Sequence, residues 1–206
     1  TIDEFQKQVN QVGVAVMGQT AELAPADKLL YALRDVTATV ESIPLIASSI
    51  MSKKIAAGAD GLVLDVKTGS GAFMQSFDDA VALAKTMVAI GAEARRQTTA
   101  LITDMSQPLG AAVGNALEVK EAITALHGRG PEDLMELCTA LGREMLVLAG
   151  RCRSAQEGEA MLRQSLKEKR ALAKFKELIA AQKGDIRVVD DPSLLRNIVA
   201  DGCDKA

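Results

Sequence analysis

An apolar strand, a helix and a second strand follow one another in the middle of this chain, and they limit the folds it can adopt. Gly61-Leu-Val-Leu-Asp-Val66 has the pattern of a buried strand, a helix is predicted from Asp78 to Gln97, and Thr98–Thr103 is the next strand. Two strands joined in this way are parallel, with a right-handed crossover. Because ligands gather beyond the carboxyl ends of such strands, we expect Lys67–Phe73 and Asp104–Leu109 to share one rim.

The rest of the sequence predicts mainly helices. Apolar spacing, caps and glycines indicate helices over Asp3–Asn10, Asn115–Leu126, Pro131–Gly150 and Lys167–Lys183, and a capping box at Ser154–Glu157 opens another. The remaining segments are predicted to be a third buried strand over Gly13–Gly18, a polar connection over Gln19–Pro25 and an extended edge segment over Arg187–Pro192. Three strands among this many helices leave sheet edges bare.

A pair of helices is predicted between Asp27 and Gly58, joined near Ser42. Ser42 is a plausible N-cap, and Pro44 falls in the first turn of the second helix, where a missing N–H costs nothing. Polar side chains share faces with apolar ones on both helices, at Tyr31, Arg34, Asp35 and Ala38 and again at Ile46, Ser49, Ile50 and Lys53.

Arg34, Ser49 and Lys53 are therefore candidates to bind a polar ligand, because a cation on an apolar face is costly unless something pairs with it. Two other interpretations stand beside this one. Long cationic side chains often keep their stems on the core and their charged ends in water. Asp35 or Glu41 could instead pair with Arg34.

Composition excludes several classes of function. The chain has 206 residues, is 48% hydrophobic and carries a formal net charge of -3, so nucleic acid and anionic membranes are not expected partners. Aromatic residues make up only 2%, too few for a base-stacking surface. No signal peptide or membrane-spanning run is found, and the chain starts at Thr1, so we expect a cytoplasmic protein of which this is a fragment.

The cysteines and the histidine do not suggest a catalytic nucleophile. Cys138, Cys152 and Cys203 share no metal-ligand spacing and are expected to be free thiols. His127, the only histidine, lies in Leu-His-Gly-Arg-Gly and is predicted to end a helix. Lys67-Thr-Gly-Ser-Gly71 lacks the full pattern of a phosphate-binding loop, so that interpretation is weak.

Five blocks of this sequence resemble the pyrimidine nucleoside phosphorylase, or thymidine phosphorylase, family. They occur in the family's order, with similar gaps, and together they span most of the chain. The blocks are Tyr31-Ala-Leu-Arg-Asp-Val-Thr-Ala-Thr-Val40, Ser49-Ile-Met-Ser-Lys-Lys54, Asp65-Val-Lys-Thr-Gly-Ser-Gly-Ala-Phe-Met74, Thr103-Asp-Met-Ser-Gln-Pro-Leu-Gly110 and Gly114-Asn-Ala-Leu-Glu-Val-Lys-Glu121.

The resemblance implies an α/β fold class. We expect a partial α/β domain, with a mixed or parallel sheet of few strands and many helices, and a helical pair belonging to a separate small all-α domain. Residues 1–25 would enter the α/β domain, residues 26–57 would belong to the helical domain, and residues 58–206 would return to the α/β domain. In the family, pyrimidine and phosphate meet in the cleft between the two domains.

The resemblance also implies the site. Arg34, Ser49 and Lys53 match the family's pyrimidine-binding positions, and Phe73 is a candidate contact to the base. Leu109, Ala112 and Glu121 match a potassium site of bacterial members. Inorganic phosphate would be the co-substrate, no catalytic nucleophile is expected from the protein, and the full-length enzyme would be a homodimer.

The resemblance places the family's phosphate-binding residues before Thr1, so we expect this chain alone to be inactive. Two alternatives remain open. One is an enzyme resembling anthranilate phosphoribosyltransferase, which shares the architecture. The other is a non-catalytic structural or binding domain.

Overall fold

A computed structural model describes residues 1–16, 18 and 23–196 of the chain. Within these residues two β-strands and nine α-helices are followed by a short 3-10 turn at Pro192–Leu194. In chain order they are α1 Ile2–Val12, α2 Pro25–Thr37, α3 Ile43–Ala56, β1 Gly61–Thr68, α4 Phe77–Glu93, β2 Gln97–Asp104, α5 Asn115–Leu126, α6 Glu132–Leu148, α7 Ala155–Lys167, α8 Arg170–Ala181 and α9 Arg187–Asp190.

The strand–helix–strand unit is present as the sequence predicts. β1 and β2 pair in parallel, in a register that runs from Gly61 opposite Gln97 to Thr68 opposite Asp104. Helix α4 ends earlier than predicted, because Arg95 takes a left-handed backbone with φ of 56° and the chain turns into β2. The predicted fold class, a partial α/β domain with a small parallel sheet and many helices, is confirmed.

One face of the sheet packs into a hydrophobic core. Leu62, Leu64 and Val66 alternate along β1 and are buried together with side chains of α3 and α4. Met51 of α3 is fully buried in this core, and truncating such a side chain to alanine costs about 2–5 kcal/mol. The opposite face meets α6, since a Cβ added to Gly61 would lie 2.7 Å from Leu148 Cδ2.

The two helices of the predicted pair differ in how they pack. Helix α3 contributes Ala47 and Met51 to the core that β1 and α4 share. Helix α2 leaves several large apolar side chains exposed, namely Leu29, Leu30, Leu33 and Val36. The division into domains at residues 26–57 stays a prediction.

Two segments were predicted wrongly. The described residues of the Gly13–Gly18 run form no strand, and Met17 lies outside the described residues. Val16 is paired instead with one side chain, the amide of Gln182, which accepts from Val16 N–H at 3.2 Å and donates to its carbonyl at 2.9 Å. Residues 187–192 are mainly helical rather than extended, since α9 covers Arg187–Asp190 and, after Asp191, the 3-10 turn begins at Pro192.

Two further predictions changed or could not be assessed. The helix predicted over Lys167–Lys183 is shorter and spans Arg170–Ala181, because Lys169 has a φ of 57° and separates α7 from α8. Most of the Gln19–Pro25 connection lies outside the described residues, and α2 begins at its last residue.

Candidate functional site

The turn between α2 and α3 brings the polar faces of these helices together. Ala38 ends α2 in a left-handed conformation with φ of 54°, and Ser42 starts α3 at the position predicted. The Ser42 side chain makes no capping hydrogen bond, and the backbone closes the turn through Ser42 N–H donating to the Thr39 carbonyl at 3.2 Å.

Arg34 lies buried beneath this turn, with only 6% of its surface exposed. Its guanidinium donates to the carbonyl of Val40, and to that of Leu45 at 3.4 Å. Its Cζ lies 5.2 Å from the centre of the Tyr31 ring, within the range of a cation–π contact. The Nε–H group is buried and has no hydrogen-bond partner. Arg34 therefore does not place its charged end in water, and its acceptors are carbonyls rather than Asp35 or Glu41.

Ser49 and Lys53 lie one turn apart on α3 and contact each other. The Lys53 ammonium donates to Ser49 Oγ at 2.8 Å and to Asp27 Oδ2 of α2 at 2.7 Å. The side chains of Lys53 and Asp27 are 16% and 13% exposed, so this ion pair is largely removed from water. The chain itself thus supplies a partner for Lys53.

Asp27 is held in its ionised form. Burial raises the pKa of its carboxyl, but hydrogen bonds from Lys53 and Ser49 and the charges of Lys53 and Arg34 outweigh burial. The pKa of Asp27 therefore lies below its ordinary value. Asp27 also links the candidate residues, because it pairs with Lys53, which in turn bonds to Ser49, and it lies within electrostatic range of Arg34.

The rim expected beyond the strands is also formed. Met105 N–H donates to the Thr68 carbonyl at 2.7 Å, and Gly71 N–H donates to the Met105 carbonyl at 2.9 Å. Phe73, on this rim, is 62% exposed. It lines a groove of about 380 Å³ with Ile46 and Ile50 of α3, whereas Arg34, Ser49 and Lys53 do not line it.

Lys67, at the start of the glycine-rich turn, is engaged within the sheet. Its ammonium lies 2.7 Å from Asp65 Oδ2 and donates to Thr103 Oγ1 at 3.0 Å. The Thr103 hydroxyl donates in turn to Asp65. These contacts give Lys67 a role within the strand pair and do not favour the phosphate-loop interpretation.

Glu121 of α5 reaches the loop that carries Leu109 and Ala112. Its Oε1 accepts from Ala111 N–H at 2.9 Å, and a Cβ at Gly110, where φ is 72°, would lie 2.2 Å from its Oε2. A hard cation takes oxygen ligands from carboxylates and main-chain carbonyls, and the potassium site over Leu109, Ala112 and Glu121 stays a prediction. Among the described residues, no three or more His, Cys, Asp or Glu side chains are grouped to hold a metal.

The contacts of Arg34, Ser49 and Lys53 given above involve neither His127 nor the two thiols that the structure describes. Cys138 is exposed and Cys152 is buried, both as free thiols, and Cys203 lies outside the described residues. Although Cys138 is exposed as a whole residue, desolvation around its sulfur raises the pKa of the thiol, and the charge of Lys67 opposes this shift. His127 caps the C-terminus of α5, as predicted.

A family model described as "Glycosyl transferase family, a/b domain" matches residues 1–172 of the chain. The chain belongs to this glycosyl transferase family. The matched residues contain both strands and all the candidate site residues.

Relatives of the chain carry a more specific name. The chain is 63% identical over 195 residues to a pyrimidine-nucleoside phosphorylase of Geobacillus stearothermophilus and to one of Bacillus subtilis, and 60% identical over 193 residues to one of Staphylococcus haemolyticus. These alignments cover 94–95% of the chain, which spans about 45% of the length of the relatives. The resemblance to pyrimidine nucleoside phosphorylases is confirmed.

Asp27 is the residue of the candidate site that the sequence interpretation missed. It precedes Tyr31 by four positions and Arg34 by seven, so helical spacing puts it on the same face of α2. The spacing could therefore have identified it. An acidic residue in the first turn of a helix is readily explained by the helix dipole alone.

The helices in the described part of the chain include none long and apolar enough to span a membrane.

Proposed function

We propose that this chain carries the base-binding side of a pyrimidine-nucleoside phosphorylase. The whole enzyme would convert uridine, thymidine or deoxyuridine and phosphate into free base and a pentose 1-phosphate. The names of relatives at 60–63% identity support this reaction. The grouping of Ser49 and Lys53 around Asp27, with Arg34 close by, supports the location of the base.

The observation that carries this proposal is unused hydrogen-bonding capacity in a buried cluster. Arg34 Nε–H is buried without a partner, which costs free energy unless a ligand accepts from it. An ammonium has three protons, and the contacts of Lys53 with Asp27 and Ser49 account for two of them. The carbonyl oxygens of a pyrimidine are suitable acceptors for both cations.

The same cations suit the proposed reaction. The bond between C1′ of the sugar and N1 of the base breaks, and its electron pair leaves with the base. A phosphate oxygen then forms the new bond to C1′. Negative charge grows on the departing base, and fixed positive groups stabilise the charge that develops in the transition state. Arg34 and Lys53 would supply those groups.

Further parts of the proposal rest on the family resemblance. Leu109, Ala112 and Glu121 would hold a potassium ion, through two main-chain carbonyls and one carboxylate, and the ion would hold their loop against α5. Residues 26–57 would belong to the small helical domain. The complete enzyme would be a cytoplasmic homodimer.

Calorimetric titration with uracil tests the base site. We expect this chain to bind uracil and Lys53→Ala to weaken binding by about ten-fold or more, because a charged hydrogen bond is lost. Lys85→Ala, which removes an exposed lysine of α4, is the matched control and should bind as the parent chain does. Equal affinities of Lys53→Ala and the control would contradict the proposed site.

A second assay concerns turnover. Incubating this chain with uridine and phosphate should release little or no uracil, because the resemblance assigns phosphate binding to other residues. Rapid uracil release would contradict that expectation and would extend the proposal to catalysis by this chain.

A further inference from the structure

We propose that Asp133, at the start of α6, is a positioning residue for the loop of residues 109–112. It holds the backbone N–H group of Gly110 and so fixes the direction in which the Leu109 carbonyl points. This inference rests on the proposed function, because it assumes that Leu109, Ala112 and Glu121 hold a potassium ion.

The Asp133 carboxylate joins this loop to α6 through two hydrogen bonds. Its Oδ2 accepts from Gly110 N–H at 2.8 Å, and its Oδ1 accepts from Leu134 N–H, also at 2.8 Å. Asp133 lies in the first turn of α6, so one oxygen binds the helix and the other binds the loop. The carboxylate is therefore held at both of its oxygens, and it ties Gly110 to the end of the helix.

Holding this N–H group also determines where the preceding carbonyl points. Leu109 C=O and Gly110 N–H belong to the same peptide group, and the described part of the chain contains no cis peptide bond. In a planar trans peptide the C=O and N–H bonds point in opposite directions. The Leu109 carbonyl therefore points away from Asp133, and it cannot rotate without breaking the hydrogen bond between Gly110 and Asp133.

Glu121 holds the next N–H group along the loop. Its Oε1 accepts from Ala111 N–H at 2.9 Å, whereas no described residue donates a hydrogen bond to its Oε2. A Cβ added to Gly110 would lie 2.2 Å from Oε2, so this oxygen lies against the Gly110 backbone. Because Asp133 accepts from Gly110 N–H, Glu121 serves only Ala111 and keeps Oε2 for a ligand.

The two acids thus divide the work between them. Glu121 offers a carboxylate oxygen, and Asp133 orients a carbonyl oxygen without being a ligand itself; both kinds of oxygen suit a hard cation. Residues that orient metal ligands in this way typically change metal affinity by about 10–100-fold when they are replaced. We therefore expect the affinity for potassium to depend on Asp133.

Melting temperatures measured over a series of potassium chloride concentrations test the inference, with choline chloride keeping the ionic strength constant. We expect potassium to stabilise the parent chain. Asp133→Ala should need about ten-fold more potassium for half of this effect, because the Leu109 carbonyl is no longer held. Glu132→Ala removes an exposed acid from the same turn of α6 and is the matched control, which should respond as the parent chain does.

Asp133→Asn separates the positioning role from the effect of charge. The carboxamide oxygen can still accept from Gly110 N–H, although the negative charge is gone. We expect Asp133→Asn to reach half of the effect at nearly the same potassium concentration as the parent chain. A purely structural role would instead lower the melting temperature of Asp133→Ala equally at every potassium concentration.

The outcomes distinguish this inference from the proposed function. If Asp133→Ala responds to potassium as the parent chain does, or if Asp133→Asn responds as Asp133→Ala does, the positioning role of Asp133 is overturned while the potassium site stands. If potassium stabilises the parent chain no more than choline does, the potassium site is overturned and this inference with it.

Discussion

The same three chemical groups, an ammonium, a carboxylate and a hydroxyl, meet at two places in this protein. In the helix trio, Lys53 bonds to Asp27 and Ser49 across α2 and α3. In the sheet trio, Lys67 bonds to Asp65 and Thr103 across β1 and β2. The surroundings of these two trios differ more than their internal contacts do.

The sheet trio is held by a backbone ladder, since Lys67 and Thr103 are register partners in the parallel pair. The helix trio joins α3, which is in the core, to α2, which is largely exposed. It also has a buried arginine beside it with an unpaired N–H group. The comparison teaches that a polar trio is a candidate ligand site when a neighbouring buried group remains unsatisfied, and that the trio alone does not indicate a site.

Removing the carboxylate from each trio should give the largest change in the free energy of unfolding. The size of this change should differ between the two trios. Asp65→Ala leaves a part-buried lysine unpaired within the central strand pair, and we expect a loss of about 2–3 kcal/mol in the free energy of unfolding. Asp27→Ala should cost about 1 kcal/mol, because α2 is weakly packed and can open without the core. Urea unfolding measures the loss of stability in both variants. Equal losses would contradict the proposed difference between the sheet trio and the helix trio.

Replacing the arginine should sharpen the difference in ligand binding. In the parent chain the planar guanidinium of Arg34 donates to two carbonyls and still has a free Nε–H group. Arg34→Lys keeps the charge but loses this group, so the affinity for uracil should fall by about ten-fold. Arg163→Lys makes the same change at a side chain that is 73% exposed and should leave affinity unchanged. Calorimetric titration of both variants with uracil provides the test. If Arg34→Lys binds uracil as tightly as the parent chain, the unpaired N–H group is not a ligand donor.

Acid should remove the stability that the helix trio contributes, and this change should be smaller than those above. The folded pKa of Asp27 lies below its ordinary value, so Asp27 contributes stability above about pH 4, and this contribution is lost as the pH falls through the folded pKa. Wild type should be more stable than Asp27→Asn by less than about 1 kcal/mol at pH 7, and the difference should vanish near pH 2. Melting curves at several pH values measure this difference, with Asp35→Asn as the control. A constant difference across the range would show that Asp27 is not the titrating group.

Local patterns were enough to predict the parts of the fold that depend on neighbours in sequence. The β1–α4–β2 unit follows from apolar runs and crossover handedness, and the capping position of Ser42 follows from Pro44. The prediction of a strand over Gly13–Gly18 was wrong because a strand exists only where another backbone pairs with it. The apolar pattern does not specify that partner.

Site prediction met the same limit. The periodicity of α2 and α3 placed Arg34, Ser49 and Lys53 on faces that they share with apolar residues. It could not show that Asp27 would close an ion pair with Lys53, because that contact depends on how two helices cross. Likewise, the sequence indicated Glu121 but not the N–H of Ala111 from which it accepts.

The pairing of Val16 with Gln182 has a consequence for how this segment tolerates length changes. In a sheet, inserting one residue turns every following side chain to the opposite face. Val16 is tied by one amide side chain instead of a repeating ladder. An added or deleted residue next to Val16 would therefore move this attachment and leave the register of β1 and β2 unchanged.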